Sequence, residues 1–587
     1  MKLTKAGTAK YNSMDVLNRC DINPKSVRRE FMSKASYFTV VVIAVLVLAG
    51  TLSATAFGAD QTNTIPHLSK QGMATQLIVD GKPFLMLAGE LHNSSSSSTE
   101  YMKPIWPKLA EANLNTVLAV VTWDLIEPEE GKFDFSLVDD LIKDARRYNM
   151  RLVLLWFGSW KNGVSTYVPV WVKTDLPRFP FARNADGNAL EILSTFSDAS
   201  RDADAKAFAA LMRHIKEVDG QQHTVIMMQV ENESGVLGDS RDRCKAANEA
   251  YNKPVPKELM DYLQKHKDTL LPEIHNAWQT GGFKTSGTWE EVFGVNKPHE
   301  KDWRNRSSFT DEIFMAWQYS RYIEKVAEAG KAEYPIPMYV NAWLDQEGCP
   351  QPGEFPSGGP LAEVMDIWKA GAAHIDMLCP DLYVPDFKAR CEWYSRLGNP
   401  LFIPETRGDK DGVINIFYAL GQHNLMGFSP FGIERIAEPN SELAKCYRVL
   451  SRIAPFILEG QAKRTIAGIA MDDPNQVEKV QLGGYTLELR ILRRWVSGPT
   501  EGPVAAGIVI ATGPDEFLAV GKGLMVLFST STPAEMVGFA TVEEGTFVDG
   551  KWIPGRRLNG DEIISGRGLR FPPGGYSIQK VKVYRYK

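Results

Sequence analysis

Eight short runs of the chain are apolar from end to end, and each leads directly into acids, amides and aromatic residues. They are FLMLAG (84–89), NTVLAVV (115–121), RLVLLWF (151–157), TVIMMQV (224–230), IPMYVNA (336–342), HIDMLC (374–379), PLFIP (400–404) and LMGFS (425–429). A strand with one wet face alternates polar and apolar residues. A strand that is apolar throughout is covered on both faces, as in a parallel sheet flanked by helices. Helical patterns fill the gaps. Leu137, Val138, Leu141, Ile142 and Ala145 share one helix face, and Ser136 is placed to cap that helix. Eight strand–helix units predict an α/β fold, a (β/α)₈ TIM barrel, over residues 66–455. The stretch 234–300 is too long for one connection, so it reads as an insertion. It holds helices such as 256–269, expected to border the site entrance.

The pattern changes after Pro455. Tyr485, Leu487, Leu489 and Ile491 alternate with Thr486, Glu488 and Arg490, and Val581 and Val583 alternate with Lys580 and Lys582. Glycine pairs and Gly-Pro or Asp-Gly steps punctuate the segment. Residues 456–587 therefore read as a C-terminal antiparallel β-sandwich.

Residues 38–52 (FTVVVIAVLVLAGTL) carry no charge, follow Lys25, Arg28, Arg29 and Lys34, and precede Ala54-Thr55-Ala56. This is the order of a secretory signal over residues 1–56, with Met32 as an alternative start and 57–65 as a linker. The run is short for a membrane span of ~20 residues. Membrane attachment is expected only if the leader stays uncleaved, and the destination is secreted or periplasmic. Past the leader five cysteines remain, odd and sparse, so no disulfide scaffold is expected. Neither C-x-x-C nor H-E-x-x-H occurs, so no metal or organic cofactor is expected. The net charge of −5 lacks the basic footprint of a nucleic-acid binder. Asn93, Asn232 and Asn305 each open a match to the glycosylation sequon.

A barrel of this type carries its chemistry at the C-terminal ends of its strands. Just past the eight runs stand Glu90 and His92; Trp123 and Glu127; Trp160 and Lys161; Asn232 and Glu233; Asn341 and Trp343; Asp381 and Tyr383; Glu405 and Arg407; and Ser429 and Glu434. Carboxylates and amides bind sugar hydroxyls, and aromatic faces stack on the C–H face of a pyranose. Glycoside hydrolysis needs two carboxyl groups about one bond, one protonated and one ionised. Glu233 and Glu405, on the fourth and seventh strands, fit that need, and Asn232 is placed for the sugar 2-hydroxyl. Glu231 is expected to point away, because strand neighbours alternate.

The stretch QVENESG (229–235), the segment from Trp123 through EPEEGKFDF (127–135), and PETR (404–407) resemble motifs of family 35 glycoside hydrolases, the β-galactosidases, in their bacterial branch. The resemblance covers roughly residues 66–455, and the trailing sandwich resembles the one that branch carries. It implies a retaining exo-β-galactosidase with Glu233 as acid/base and Glu405 as nucleophile. Two departures bear on leaving-group specificity. The first strand reads GELHNSS rather than the histidine–tyrosine form, and Ser234 replaces the usual tyrosine.

Other residues divide between substrate contact and packing. Glu90 and Glu127 are substrate contacts or ion-pair residues, and Trp123, Trp160 and Trp343 are sugar platforms or core. Tyr383 is expected to hydrogen-bond the nucleophile, Arg407 to pair with Glu405, and His92 to form a hydrogen-bonding wall. The alternatives to a galactosidase are another β-glycosidase or endo-glycanase acting on glucan, mannan or xylan, and a non-catalytic carbohydrate-binding protein. The expected partner is an uncharged β-galactoside; nothing in the sequence sets the oligomeric state.

Overall fold

All eight apolar runs become barrel strands in the computed structural model, which describes residues 64–296, 309–492, 504–532 and 534–587. The strands are β1 (Met86–Glu90), β2 (Thr116–Thr122), β3 (Arg151–Lys161), β4 (Val225–Asn232), β5 (Met338–Ala342), β6 (Met377–Leu382), β7 (Ile403–Thr406) and β8 (Gly427–Pro430). Each pairs in parallel with its sequence neighbour, and β8 pairs with β1 to close the barrel. The leader and the sequon at Asn305 lie outside the described residues. Among the described residues no helix is long and apolar enough to cross a membrane.

The barrel interior is a packed core rather than a pore. Met86, Ala88, Leu118, Val120, Val153, Leu155, Met227, Tyr339, Met377, Cys379 and Phe402 meet in one buried cluster. Leu77 and Val79 join it from Ala74–Val79, the middle strand of a small antiparallel sheet ahead of β1. That sheet plugs the N-terminal end of the barrel. The sequence reading assigned it to no element, because its strands are short and partly polar.

β3 is longer than its apolar run. From Trp156↔Val230 to Lys161↔Asn232 it advances five residues while β4 advances two. This is a β-bulge, which re-aims the side chains beyond it. Lys161 then pairs with Val164 across the turn Asn162-Gly163, where both residues have positive φ (52° and 65°), as an Asn-Gly hairpin turn requires.

Two expectations need correction, and the insertion resolves into helices. Ser136 is the first residue of the helix Ser136–Arg147 rather than its cap, and its amide donates to Asp134 Oδ1 (2.9 Å). The insertion forms Lys245–Tyr251, Lys257–Lys265, Pro272–Thr280 and Trp289–Phe293. The Leu271 amide donates to Asp366 on the outer helix Met365–Gly371, and Glu273 pairs with Arg396 in the turn that leads into β7 from below. Finally, the barrel does not end at Pro455. The helix Glu442–Lys463 runs through that proline and stops at Arg464, which has φ 56°.

Beyond Arg464 two antiparallel sheets face one another. Six strands run in the order Ile466–Met471, Ala505–Gly513, Glu516–Lys522, Ser577–Tyr586, Met536–Val548, Lys551–Arg557. Four run in the order Val477–Leu482, Tyr485–Ile491, Leu524–Ser529, Gly568–Arg570. Tyr485, Leu487, Leu489, Phe517, Val526, Leu569 and Val583 fill the space between them. All five cysteines among the described residues are free.

The sandwich meets the barrel backbone to backbone. A Cβ on Gly468 would lie 1.9 Å from the Phe417 carbonyl oxygen, and one on Gly421 would lie 1.9 Å from the Gly468 nitrogen. Gly468→Ala should therefore cost about 1–3 kcal/mol of stability in urea unfolding, the usual range for overpacking. Gly574→Ala, whose Cβ would meet nothing within 4 Å, is the matched control and should be near neutral. Equal stabilities would contradict the close seating.

Candidate active site

Five consecutive strands, β3 to β7, converge on the two carboxyl groups singled out by sequence. Glu233 follows β4 in a left-handed conformation (φ 45°), and its amide donates to Asn341 Oδ1 of β5 (3.0 Å). Asn341 Nδ2 donates to Asp381 Oδ2 of β6 (2.8 Å) and to Glu405 Oε1 of β7 (3.4 Å). Asn232 Nδ2 also donates to Glu405 Oε1 (3.4 Å), and the Tyr383 hydroxyl donates to Glu405 Oε2 (3.0 Å). Carboxylate oxygens of Glu233, Asp381 and Glu405 lie within 4.8 Å of one another. Every one of these side chains except Tyr383 is buried.

Burial of so many acids cannot leave them all charged. The Glu233 carboxyl is pushed up to about 7, first by burial and then by the neighbouring Glu405. Burial, reinforced by Glu405, also drives Glu90 and Asp381 well above the carboxylate range. The fully buried Glu90 carboxyl is aimed at Glu405.

The counter-charge is Lys161. Burial pulls its ammonium down, but Glu405, Glu233, Glu90 and Asp381 outweigh that and hold it protonated. Its Nζ also sits 5.1 Å from the centre of the Phe157 ring. Next to it, Asn162 Nδ2 donates to Glu233 Oε2 (2.7 Å). The centre is therefore four acids around one lysine, a set the lysine partly neutralises.

Of the residues named from sequence, Asn232, Glu233, Asn341, Glu405, Tyr383 and Glu90 come together. Trp343 lies half-buried just beyond β5. His92 stands apart, with Nδ1 2.9 Å from Glu434 Oε1 and its ring 4.9 Å from Phe431. Glu231 turns away as expected.

For three residues the packing alternative holds, and for a fourth the expected partner is wrong. Trp123 is fully buried, and its Nε1 donates to Glu127 Oε2 (2.9 Å) while the Gly131 amide donates to Glu127 Oε1 (2.7 Å). Both residues are consumed in bracing the loop after β2. Trp160 is buried as well, with its Nε1 on the Leu193 carbonyl and its ring against Tyr319 and Tyr322. Arg407 is exposed and pairs with Asp409, not with Glu405. The role expected of Arg407 falls to Lys161.

Lys161, Asn162 and Asp381 were given no role from sequence. Lys161 and Asp381 were visible as strand-end residues. The signal for Asn162 was the Asn-Gly pair, which places a tight turn, and hence its side chain, at the tip of β3.

A family model described as Beta-galactosidase, of glycoside hydrolase family 42 rather than 35, matches residues 92–384. A second model, described as a domain of unknown function (DUF5597), matches residues 443–570. The chain is 31% identical to a Beta-galactosidase of Xanthomonas manihotis over 212 residues, 34% of this chain and 31% of that protein. It is 24% identical to Beta-galactosidase GalA of Bacillus licheniformis over 221 residues, 36% of this chain and 29% of that protein. The matches thus span under a third of the length of these relatives. A solved structure, the beta-galactosidase from Bacillus circulans sp. alkalophilus, superposes with a TM-score of 0.46 at 12% identity, covering 85% of this chain and 99% of that one.

The electrostatics make a prediction that needs no substrate. With labelled glutamate carboxyls followed by ¹³C NMR, Glu233 should titrate near 7. Glu405→Gln removes a raising charge and should lower that midpoint. Lys161→Met removes a lowering charge and should raise it. Shifts of opposite sign would contradict the arrangement.

Proposed function

We propose that this chain is an exported, retaining exo-β-galactosidase that hydrolyses terminal β-galactosyl residues by double displacement. The observation that carries the reading is the close approach of Glu233 and Glu405 oxygens, within 4.8 Å. Retaining glycosidases hold their carboxyl groups about 5–5.5 Å apart, and inverting ones about 6.5–9.5 Å. The raised Glu233 carboxyl suits a general acid.

Glu233, protonated near neutral pH, gives its proton to the glycosidic oxygen as the bond to the anomeric carbon breaks. Glu405 attacks that carbon from the opposite face and forms a galactosyl ester. Tyr383 holds the Glu405 carboxyl in place before the attack, its hydroxyl 3.0 Å from Oε2. Glu233, now a carboxylate, takes a proton from water, and the resulting hydroxide displaces Glu405 from the sugar. Asn232 is placed for the 2-hydroxyl, a contact that strengthens in the transition state. Glu90 is placed for another sugar hydroxyl, and Trp343 for stacking.

Exo action rests on the resemblance carried by the motif residues around Glu233, Glu127 and Glu405. Export rests on the basic residues, the apolar run 38–52 and Ala54-Thr55-Ala56. Placement in family 35 rests on the motif residues around Glu233, Glu127 and Glu405.

On a panel of nitrophenyl β-glycosides the galactoside should be the best substrate. Glu233→Ala and Glu405→Ala should each cut kcat/KM by at least ~10²–10⁴-fold. Azide should rescue Glu233→Ala to a β-galactosyl azide and Glu405→Ala to an α-galactosyl azide. Activity should fall with rising pH through about 7, as Glu233 loses its proton. Galactoside hydrolysis that survives both substitutions would overturn the assignment.

A further inference from the structure

The β3 bulge leaves backbone amides without ladder partners, and a second carboxyl pair collects them. Glu231 Oε1 accepts from the Ser159 amide (3.1 Å), and Oε2 accepts from the Trp160 amide (2.7 Å). Asp204, on the helix Asp198–Asp219, accepts from Trp156 Nε1 (2.9 Å) and from the Ser159 hydroxyl (2.6 Å). Both acids are fully buried. They meet over Gly158, where a Cβ would lie 2.6 Å from Glu231 Oε1, 2.8 Å from Asp204 Oδ1 and 2.3 Å from Trp156 Nε1.

The groups facing the pair offer little positive charge. Tyr319 and Tyr322 face it from the helix Phe309–Glu333, with the Tyr322 hydroxyl 2.8 Å from Ser159 Oγ. Asp242 lies beyond Tyr319 and takes the Ser194 hydroxyl. Arg201, one turn from Asp204, is paired with Asp198 and Asp202. Two adjacent buried carboxylates in such surroundings cannot both ionise. Burial raises both acids, and the hydrogen bond between them raises Glu231 while lowering Asp204, so the proton resides on Glu231.

We propose that Glu231 and Asp204 are positioning residues, an acid–carboxylate pair sharing one proton that clamps the β3 bulge and so sets Lys161 and Asn162 against Glu405 and Glu233. The inference rests on the reading of Glu233 and Glu405 as the catalytic pair. The clamp acts at a distance from the reacting atoms. Its Ser159 and Trp160 anchors immediately precede Lys161, so loss of the pair frees the segment carrying both side chains.

Two measurements on the full chain test this without using turnover. The first is Tm against pH for wild type, Asp204→Asn and Glu231→Gln. A carboxyl held above its ordinary value contributes stability that is present at low pH and lost as pH rises toward the folded value. An amide in either position donates the hydrogen bond and removes the neighbouring charge, so the remaining acid is held less far above its ordinary value. Between pH 5 and 8 the wild-type Tm should therefore fall by ~2 °C or more beyond the fall in the two variants. Parallel curves would overturn the shared proton.

The second is the ¹³C titration of Glu233 in Gly158→Ala, which forces the pair apart while leaving every carboxyl in place. Withdrawal of Lys161 should raise the Glu233 midpoint by ~0.5 unit or more, equal to a threefold change in its proton affinity. A folded Gly158→Ala with an unmoved midpoint would overturn the positioning role. Should Gly158→Ala fail to fold, Glu231→Gln, which loses one backbone acceptor, serves in its place with the same expected direction. Failure of the galactosidase reading would appear separately, as wild type inert on galactosides with both of these results intact.

Discussion

The burial of four carboxyl groups around one ammonium governs the rest of this structure. Glu90, Glu233, Asp381 and Glu405 arrive from β1, β4, β6 and β7, and Lys161 from β3. Ionising all four acids against one lysine in a dry site would cost several kcal/mol for each unpaired charge. Protons must therefore be retained, and the geometry decides where. Glu405 receives hydrogen bonds from Tyr383, Asn232 and Asn341. Glu233 receives the repulsion. An acid and a base at one pH follow from environment alone, and the closed barrel with its apolar interior and basal plug provides that environment.

Much of this was legible in the sequence, and the legible parts share a cause. The eight strands stood out because strands covered on both faces have no polar side to blur them. Glu233 and Glu405 stood out because each directly ends such a strand. Reading failed where a side chain's direction depends on local backbone rather than on place in the chain. Trp123 and Trp160 follow strands yet turn into the core, and Glu127 is drawn to Trp123 and the Gly131 amide. Arg407 had a local partner two residues away in Asp409. Lys161 and Asn162 became part of the site through a bulge, and a bulge changes strand parity without leaving an apolar signature.

The boundary near Pro455 was misplaced for a related reason. Proline usually ends a helix, but here the helix Glu442–Lys463 belongs to both units it joins. Gln461 Nε2 donates to the carbonyls of Leu420 and Leu425 on the barrel side, while Gly460 packs beside Ile466 and Ile510 on the sandwich side. The second family model starts at residue 443, in the first turn of this helix, and runs to residue 570. Helix and sandwich thus read as one unit seated on the barrel wall through Gly421 and Gly468.

The central claim is that two carboxyl groups this close, unequally protonated, perform a double displacement. It is tested most directly by the anomer released first. In ¹H NMR of a β-galactoside during early turnover, before mutarotation, the account predicts β-galactose as the initial product. Initial release of α-galactose would mean a single displacement by water, and would contradict the nucleophilic role of Glu405.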